Sequence, residues 1–337
     1  MYLVRPVDFG DLPALERMAT EAGIGMTNFP ANRERLNDKI ASSRRSLQTD
    51  VVQPGDESYL FVLIDTTTDE IVGTCGMEAM VGIETPFYSY RIDEVVHASP
   101  QLQIHNRISA LFLCHDYSGT SRLMSLIVDK AHQNREALSL LSRSRLLFLA
   151  RHPERFTKRL FVELRGESDR NGYSPFWDAL GKHFFTMDFK KADYLSGVSN
   201  KHFIADLMPR YPIYVPTLPE SAQEVIGVLH EESEKSTDVL LEEGFAFRGY
   251  VDIFDAGPTL EARTENLTTI SQQRMGKALT QPNTLKGDLY LISAGHLEDF
   301  RVTIAAAEPQ VAGLAIDKKT QERLSISSGS RIQWVAL

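Results

Sequence analysis

The chain has 337 residues, with 42% hydrophobic and 24% charged residues and a formal charge of −9. Those values fit a globular protein of two-domain length with a real core, and the acidic balance argues against nucleic acid or an anionic membrane as partner while suiting a cationic substrate. Two cysteines, Cys75 and Cys114, leave no room for a disulfide framework or a zinc quartet; both sit in apolar, strand-like stretches and are expected to be buried thiols.

The start, MYLVRPVDFGD, has no apolar signal core, and no apolar run nears the roughly 20 residues that span a bilayer, so the expected location is the cytoplasm with no membrane contact. Tyr2 to Arg5 alternate as a strand, and Leu12, Leu15 and Met18 then recur at helical spacing. Tyr59 to Asp65 and Ile71 to Val81 flank a polar turn and predict a hairpin. A third strand is expected near Tyr88 to His97. The β-rich segment Leu123 to Asp129 runs into a long pattern in which Ala137, Leu140, Leu141, Ser144 and Phe148 mark an amphipathic helix.

Leu160 to Arg165 reads as the next strand, and 167–219, rich in aromatics, prolines and glycines, as an elaborated insertion. A helix over Asp238 to Phe245 ends on Gly244 in the left-handed cap position, followed by a strand at Phe247 to Phe254. From about residue 266, short strands at Leu289 to Ile292, Phe300 to Ala306 and Arg331 to Val335 suggest a small β-rich terminal domain. The expected fold class is α+β, a mixed and mostly antiparallel sheet flanked by helices, divided into 1–265 and 266–337.

This element order is similar to the GNAT acyltransferase fold. Ordered segments make the resemblance specific: TNFPANRERL (Thr27 to Leu36), YSYR and VHAS (Tyr88 to Arg91, Val96 to Ser99), LCHDYSG (Leu113 to Gly119), SPFWDALGKHFF (Ser174 to Phe185), LMPRYPIYVPTLP (Leu207 to Pro219) and YVDIFDAGPTLEART (Tyr250 to Thr264). By these the chain resembles the arginine N-succinyltransferases over its whole length, and is most similar to the alpha chain of their two-subunit version. The resemblance implies transfer of succinyl from succinyl-CoA to the α-amino group of arginine, or of ornithine, as the entry step of arginine catabolism. It also implies a beta-like partner subunit.

In GNAT folds the coenzyme's pyrophosphate sits on backbone amides at the start of the long helix, in a loop with two glycines. The corresponding positions here are Gln133, Asn134, Arg135, Glu136, Ala137 and Leu138, so both glycines are missing and Glu136 adds a negative charge. Gln133, Arg135 and the strand end at Val128 are the candidate coenzyme contacts. The tyrosine that often protonates the leaving thiolate is replaced by Leu240. Both departures predict that the isolated chain binds succinyl-CoA poorly and shares its site with the partner.

For the amine, Glu163 on the strand after the long helix is the first candidate base, against a paired strand acid. The His115–Asp116 pair could supply a general base oriented by a carboxylate, or a plain turn. His97 is a further candidate base or a half-buried imidazole. Arg107 or Arg122 could clamp the succinyl carboxylate, and Asp255 could meet the substrate or serve the turn it marks. No metal is expected: the nine histidines form no H-x-x-x-H pair on a helix, and no G-x-S-x-G elbow supports serine hydrolysis. A scaffolding subunit without activity, or an N-acyltransferase with another donor or amine, are the alternatives.

Overall fold

A computed structural model describes residues 1–23, 25, 28–198, 207–281 and 285–337. Thr27 of the segment quoted above and residues 199–206 of the expected insertion lie outside the described residues. Sixteen strands form one sheet: β1 (Tyr2–Pro6), β2 (Ser58–Asp65), β3 (Glu70–Glu78), β4 (Ser89–Ser99), β5 (Ile104–Cys114), β6 (Ser121–Val128), β7 (Arg159–Glu163), β8 (Ile213–Tyr214), β9 (Ala246–Val251), β10 (Pro258–Arg263), β11 (Arg274–Gln281), β12 (Leu289–Ala294), β13 (Arg301–Ala306), β14 (Glu308–Gln310), β15 (Gly313–Asp317) and β16 (Arg331–Ala336). Their spatial order is β14-β15-β11-β16-β12-β13-β1-β2-β3-β6-β7-β10-β9-β4-β5-β8. Two pairs, β6 with β7 and β11 with β15, are parallel. Among the described residues the helices of ten residues or more are α1 (Leu12–Ala22), α2 (Arg33–Gln48), α3 (Arg135–Arg151), α4 (Phe189–Val198) and α5 (Glu234–Glu243).

The sequence of β2, SYLFVLID, is apolar throughout because both of its faces are covered. Tyr59, Phe61 and Leu63 pack with α3, while Leu60, Val62 and Ile64 pack with Leu15 and Met18 of α1 and Leu36 and Ile40 of α2. Side chains alternate across a strand, so one continuous run serves two cores. Cys75 is buried in the first of these, whereas Cys114 is only half buried at the end of β5.

The amphipathic reading of α3 needs correction. Every residue from Ala137 to Leu149 is buried, polar ones included. The helix lies between the sheet, α5 and the helical turn Thr268–Gln272. Its polar residues find partners inside: Arg143 is ion-paired with Glu243 at 2.8 Å and donates to the Ala336 carbonyl, and Arg145 donates to the carbonyl and hydroxyl of Ser142. A helix enclosed on all sides has no solvent stripe for a sequence pattern to show.

Helix α5 ends at Gly244 with φ 106 and ψ 13, the left-handed cap the sequence predicted, although it begins at Glu234 and not at Asp238. The strand after it stops at Val251, short of Phe254, because Asp252 Oδ1 accepts from the backbone amides of Phe254 and Asp255 and turns the chain. The C-terminal strands join the rest through β1, where Leu3 faces Thr303 and Val4 faces Val302.

Candidate active site

The parallel pair β6 and β7 holds for three rungs, Ser121 with Leu160, Arg122 with Phe161 and Leu123 with Val162, and then parts. Just past the last rung β6 carries a bulge: Ser125 and Leu126 together oppose Cys75 of β3, and Ser125 takes a positive φ of 54°. The bulge swings Leu126, Ile127 and Val128 onto the wall of a cavity of about 610 Å³, closed on other sides by Met18 and Gly23 at the end of α1 and by Ser233, Lys235 and Ser236 at the start of α5. Its charged lining is mixed, with Lys130, Arg165, Arg170 and Lys235 facing Glu21, Asp129, Asp169 and Glu232.

A second cavity, of about 410 Å³, shares Arg165 with the first. Seven carboxylates line it, Asp56, Glu57, Glu78, Glu84, Glu163, Asp252 and Asp255, against the guanidiniums of Arg122 and Arg165. Arg122, with a side chain only 5% exposed, reaches Glu163 Oε2 at 2.9 Å and Glu78 Oε2 at 3.4 Å and lies over the Phe87 ring at 5.0 Å. Asp255 is buried, and its two oxygens accept from the amides of Gly166 and Gly257 at 2.8 Å each. Burial above all, then the charges of Asp252 and Glu163, hold its carboxyl well above the usual range despite those two donors. The cavity therefore presents acids to a cation, with one carboxyl biased toward its neutral form.

The structure brings Glu163, Arg122 and Asp255 together in this acidic cavity. Val128 and Gln133 line the larger one, where Gln133 Nε2 donates to the Val128 carbonyl. Arg135 turns away: its side chain is 75% exposed and paired with Glu242. His97 and Arg107 sit on the exposed β4–β5 ribbon, the first with its ring 5.7 Å from that of Tyr214, the second 3.4 Å from Glu94. His115 and Asp116 begin the turn into β6 and line neither cavity; Asp116 accepts from the Tyr250 hydroxyl at 2.8 Å and faces Arg91 at 3.7 Å. The Asp116 side chain thus bonds across the sheet and not to the adjacent histidine's ring.

The geometry has counterparts among known proteins. The family model described as arginine N-succinyltransferase beta subunit matches residues 2–269, and the model for the C-terminal domain of that subunit matches 277–336. The chain belongs to the arginine N-succinyltransferase family. It is 42% identical to the alpha subunit of arginine N-succinyltransferase from Pseudomonas aeruginosa over the full length of both, and 42% identical to the beta subunit from the same organism over 99% of this chain and 98% of that one. An arginine N-succinyltransferase from Salmonella agona is 39% identical over 100% of this chain and 98% of its own. The solved structure of arginine/ornithine succinyltransferase subunit AI from Pseudomonas aeruginosa superposes with a TM-score of 0.90 at 40% identity, covering 100% of this chain and 98% of that one. The chain is an acyltransferase with the GNAT-like fold, and it stands equally near the two Pseudomonas aeruginosa subunits.

This member of the arginine N-succinyltransferase family closes the start of α3 without loop glycines. The Asn134 side chain accepts from the Ala137 amide and donates to the Tyr2 hydroxyl, so the helix end is capped from within. Leu240 is buried in the core. His230 lines neither cavity but braces Arg165: its amide donates to the Arg165 carbonyl at 3.0 Å, and its Nδ1 accepts from the Glu232 amide at 3.2 Å. With Nδ1 an acceptor, the ring proton belongs on Nε2. Among the described residues no group of His, Cys, Asp and Glu is arranged to hold a metal ion, and no helix is long and apolar enough to cross a membrane.

Proposed function

We propose that the chain transfers succinyl from succinyl-CoA to the α-amino group of arginine, or of ornithine. The carrying observation is the acid-lined cavity, which shares Arg165 with a larger cavity walled by the β6 residues beyond the last β6–β7 rung. A thioester entering along Leu126 to Val128 places its acyl carbon near the seam, and a dibasic amino acid fits the seven-carboxylate cavity. Holding both replaces an encounter in solution with a positioned reaction, which supplies much of the rate.

Glu163, fixed by Arg122, takes the proton from the α-ammonium. The freed nitrogen attacks the thioester carbonyl carbon; the C–N bond forms, the C–S bond breaks, and the sulfur leaves with the electron pair. The thiolate takes the second proton that the nitrogen sheds as the amide forms, and Glu163 passes its own proton to solvent. Asp252 faces the cationic side chain of the acceptor, and Asp255, biased toward its neutral form, holds the Gly166 and Gly257 loops behind it. Gln133, Val128, Lys130 and Lys235 line the donor cavity, which supports coenzyme binding by this chain in place of a glycine loop. A beta-like subunit completes the reading, on the ground that the Pseudomonas aeruginosa relatives are named as alpha and beta subunits. The reaction is assigned to the cytoplasm, where amino acids and coenzyme A thioesters meet.

The test is thiol release and acylated product, followed by mass spectrometry, with succinyl-CoA and arginine, ornithine or lysine, for the chain alone and co-expressed with a beta-like subunit. Succinylated arginine or ornithine is expected. Absence of product in both preparations would remove the proposal.

A further inference from the structure

Arg165 is the only described residue that lines both cavities. Its side chain is 12% exposed, yet no buried carboxylate holds it. Nη2 donates to Ser168 Oγ at 3.1 Å, and Nη1 lies 3.4 Å from Glu232, itself 51% exposed. Nε is buried and has no hydrogen-bond partner. The guanidinium is held in place by its surroundings: its own carbonyl accepts from the His230 amide, and Gly25 comes so close that a Cβ there would stand 2.7 Å from Nε. Arg122 contrasts with it, since two of its nitrogens already face Glu78 and Glu163.

Resting on the reaction proposed above, we infer that Arg165 binds the distal carboxylate of the acyl group and selects dicarboxylic monothioesters over neutral ones. An acyl chain bound for the acid-lined cavity carries its own negative charge, which the ionised carboxylates there would repel unless a cation stands at the junction. Arg165 is that cation, with a planar fork suited to a carboxylate. The incoming carboxylate takes the place of Glu232, which keeps Lys130 at 3.5 Å as an alternative partner.

Steady-state kinetics with succinyl-CoA and with its neutral isostere butyryl-CoA test this in the full chain. Arg165→Met should lower kcat/KM for succinyl-CoA on the order of 100-fold, equivalent to about 2.7 kcal/mol, while the butyryl-CoA value stays within about threefold. Glu232→Gln, at a half-exposed site, should lower the KM for succinyl-CoA about threefold and leave that for butyryl-CoA unchanged. Parallel losses with both donors in the first variant, or no change in the second, would overturn the assignment. A wild-type chain that turns over butyryl-CoA but not succinyl-CoA would remove the proposed reaction as well, whereas an unchanged donor ratio in the variants removes Arg165's role alone.

Discussion

Arg122 and Glu163 are diagonal neighbours across β6 and β7: Arg122 pairs with Phe161, and two residues on, Glu163 points to the same side of the sheet and meets its guanidinium at 2.9 Å. The contact sits at the point where the strands separate, so the carboxylate is fixed at the seam and not at the tip of a mobile loop.

Glu163→Gln preserves the shape and a hydrogen-bond acceptor but removes the base. It should lower kcat about 100- to 1,000-fold with little change in the KM for arginine. Progress curves at saturating donor would read this, and activity within twofold of wild type would exclude Glu163 as the proton acceptor.

His152 is buried between Phe148 and His296, with ring centroids at 4.9 and 4.7 Å, and its Nε2 has no partner. Burial first, then the charges of His296, Arg155 and Arg151, lower its imidazole from 6.5 to about 3. Between those two values the unfolded chain binds a proton that the folded chain does not, so stability rises with pH across the window and is lost as pH falls below about 6.5. Urea denaturation from pH 5 to 6.5 should show a slope of up to about 1.4 kcal/mol per pH unit from this side chain. His152→Leu should flatten the profile by that amount; an unaltered slope would count against a neutral buried imidazole.

Gly257→Ala should destabilise the chain by about 1–3 kcal/mol, because the added methyl is driven against backbone and no flexible side chain can yield. Its Cβ would stand 2.1 Å from the Leu164 carbonyl oxygen and 2.5 Å from the Gly166 nitrogen. Asp255 accepts from both glycine amides, so the KM for arginine should rise as well. Chemical denaturation and acceptor titration check the two effects separately, and wild-type values in both would show that the loops can move apart.

The sheet was legible wherever strand chemistry is local. The runs at Tyr59 to Asp65 and Leu123 to Asp129 and the cap at Gly244 all announce themselves over a few residues. The enclosure of α3 was not, since its covering layers come from residues more than a hundred positions on, such as Thr269 beside Arg143. Glu163 could be singled out because it lies on a predicted strand, and Arg122, one position before another, because an arginine can clamp a carboxylate. Arg165 carried no signal: the elements whose cavities it joins lie far apart in the chain, and the Glu232 it faces is 67 positions on. Asp116 shows the opposite hazard, where adjacency to His115 suggested a pair but the carboxylate bonds to Tyr250, which is 134 positions away.

The joining of β1 to β13 bears on how the protein is made. The Thr303 hydroxyl donates to the Tyr2 carbonyl across 301 positions, and β1 lies between β2 and β13. During translation at about 5–20 residues per second, the outer edge of the first strand waits roughly 15 to 60 s before its neighbour leaves the ribosome. An unpaired strand edge is a template for association with other chains, so nascent-chain chaperones and early stalling should matter more for this protein than its finished stability suggests.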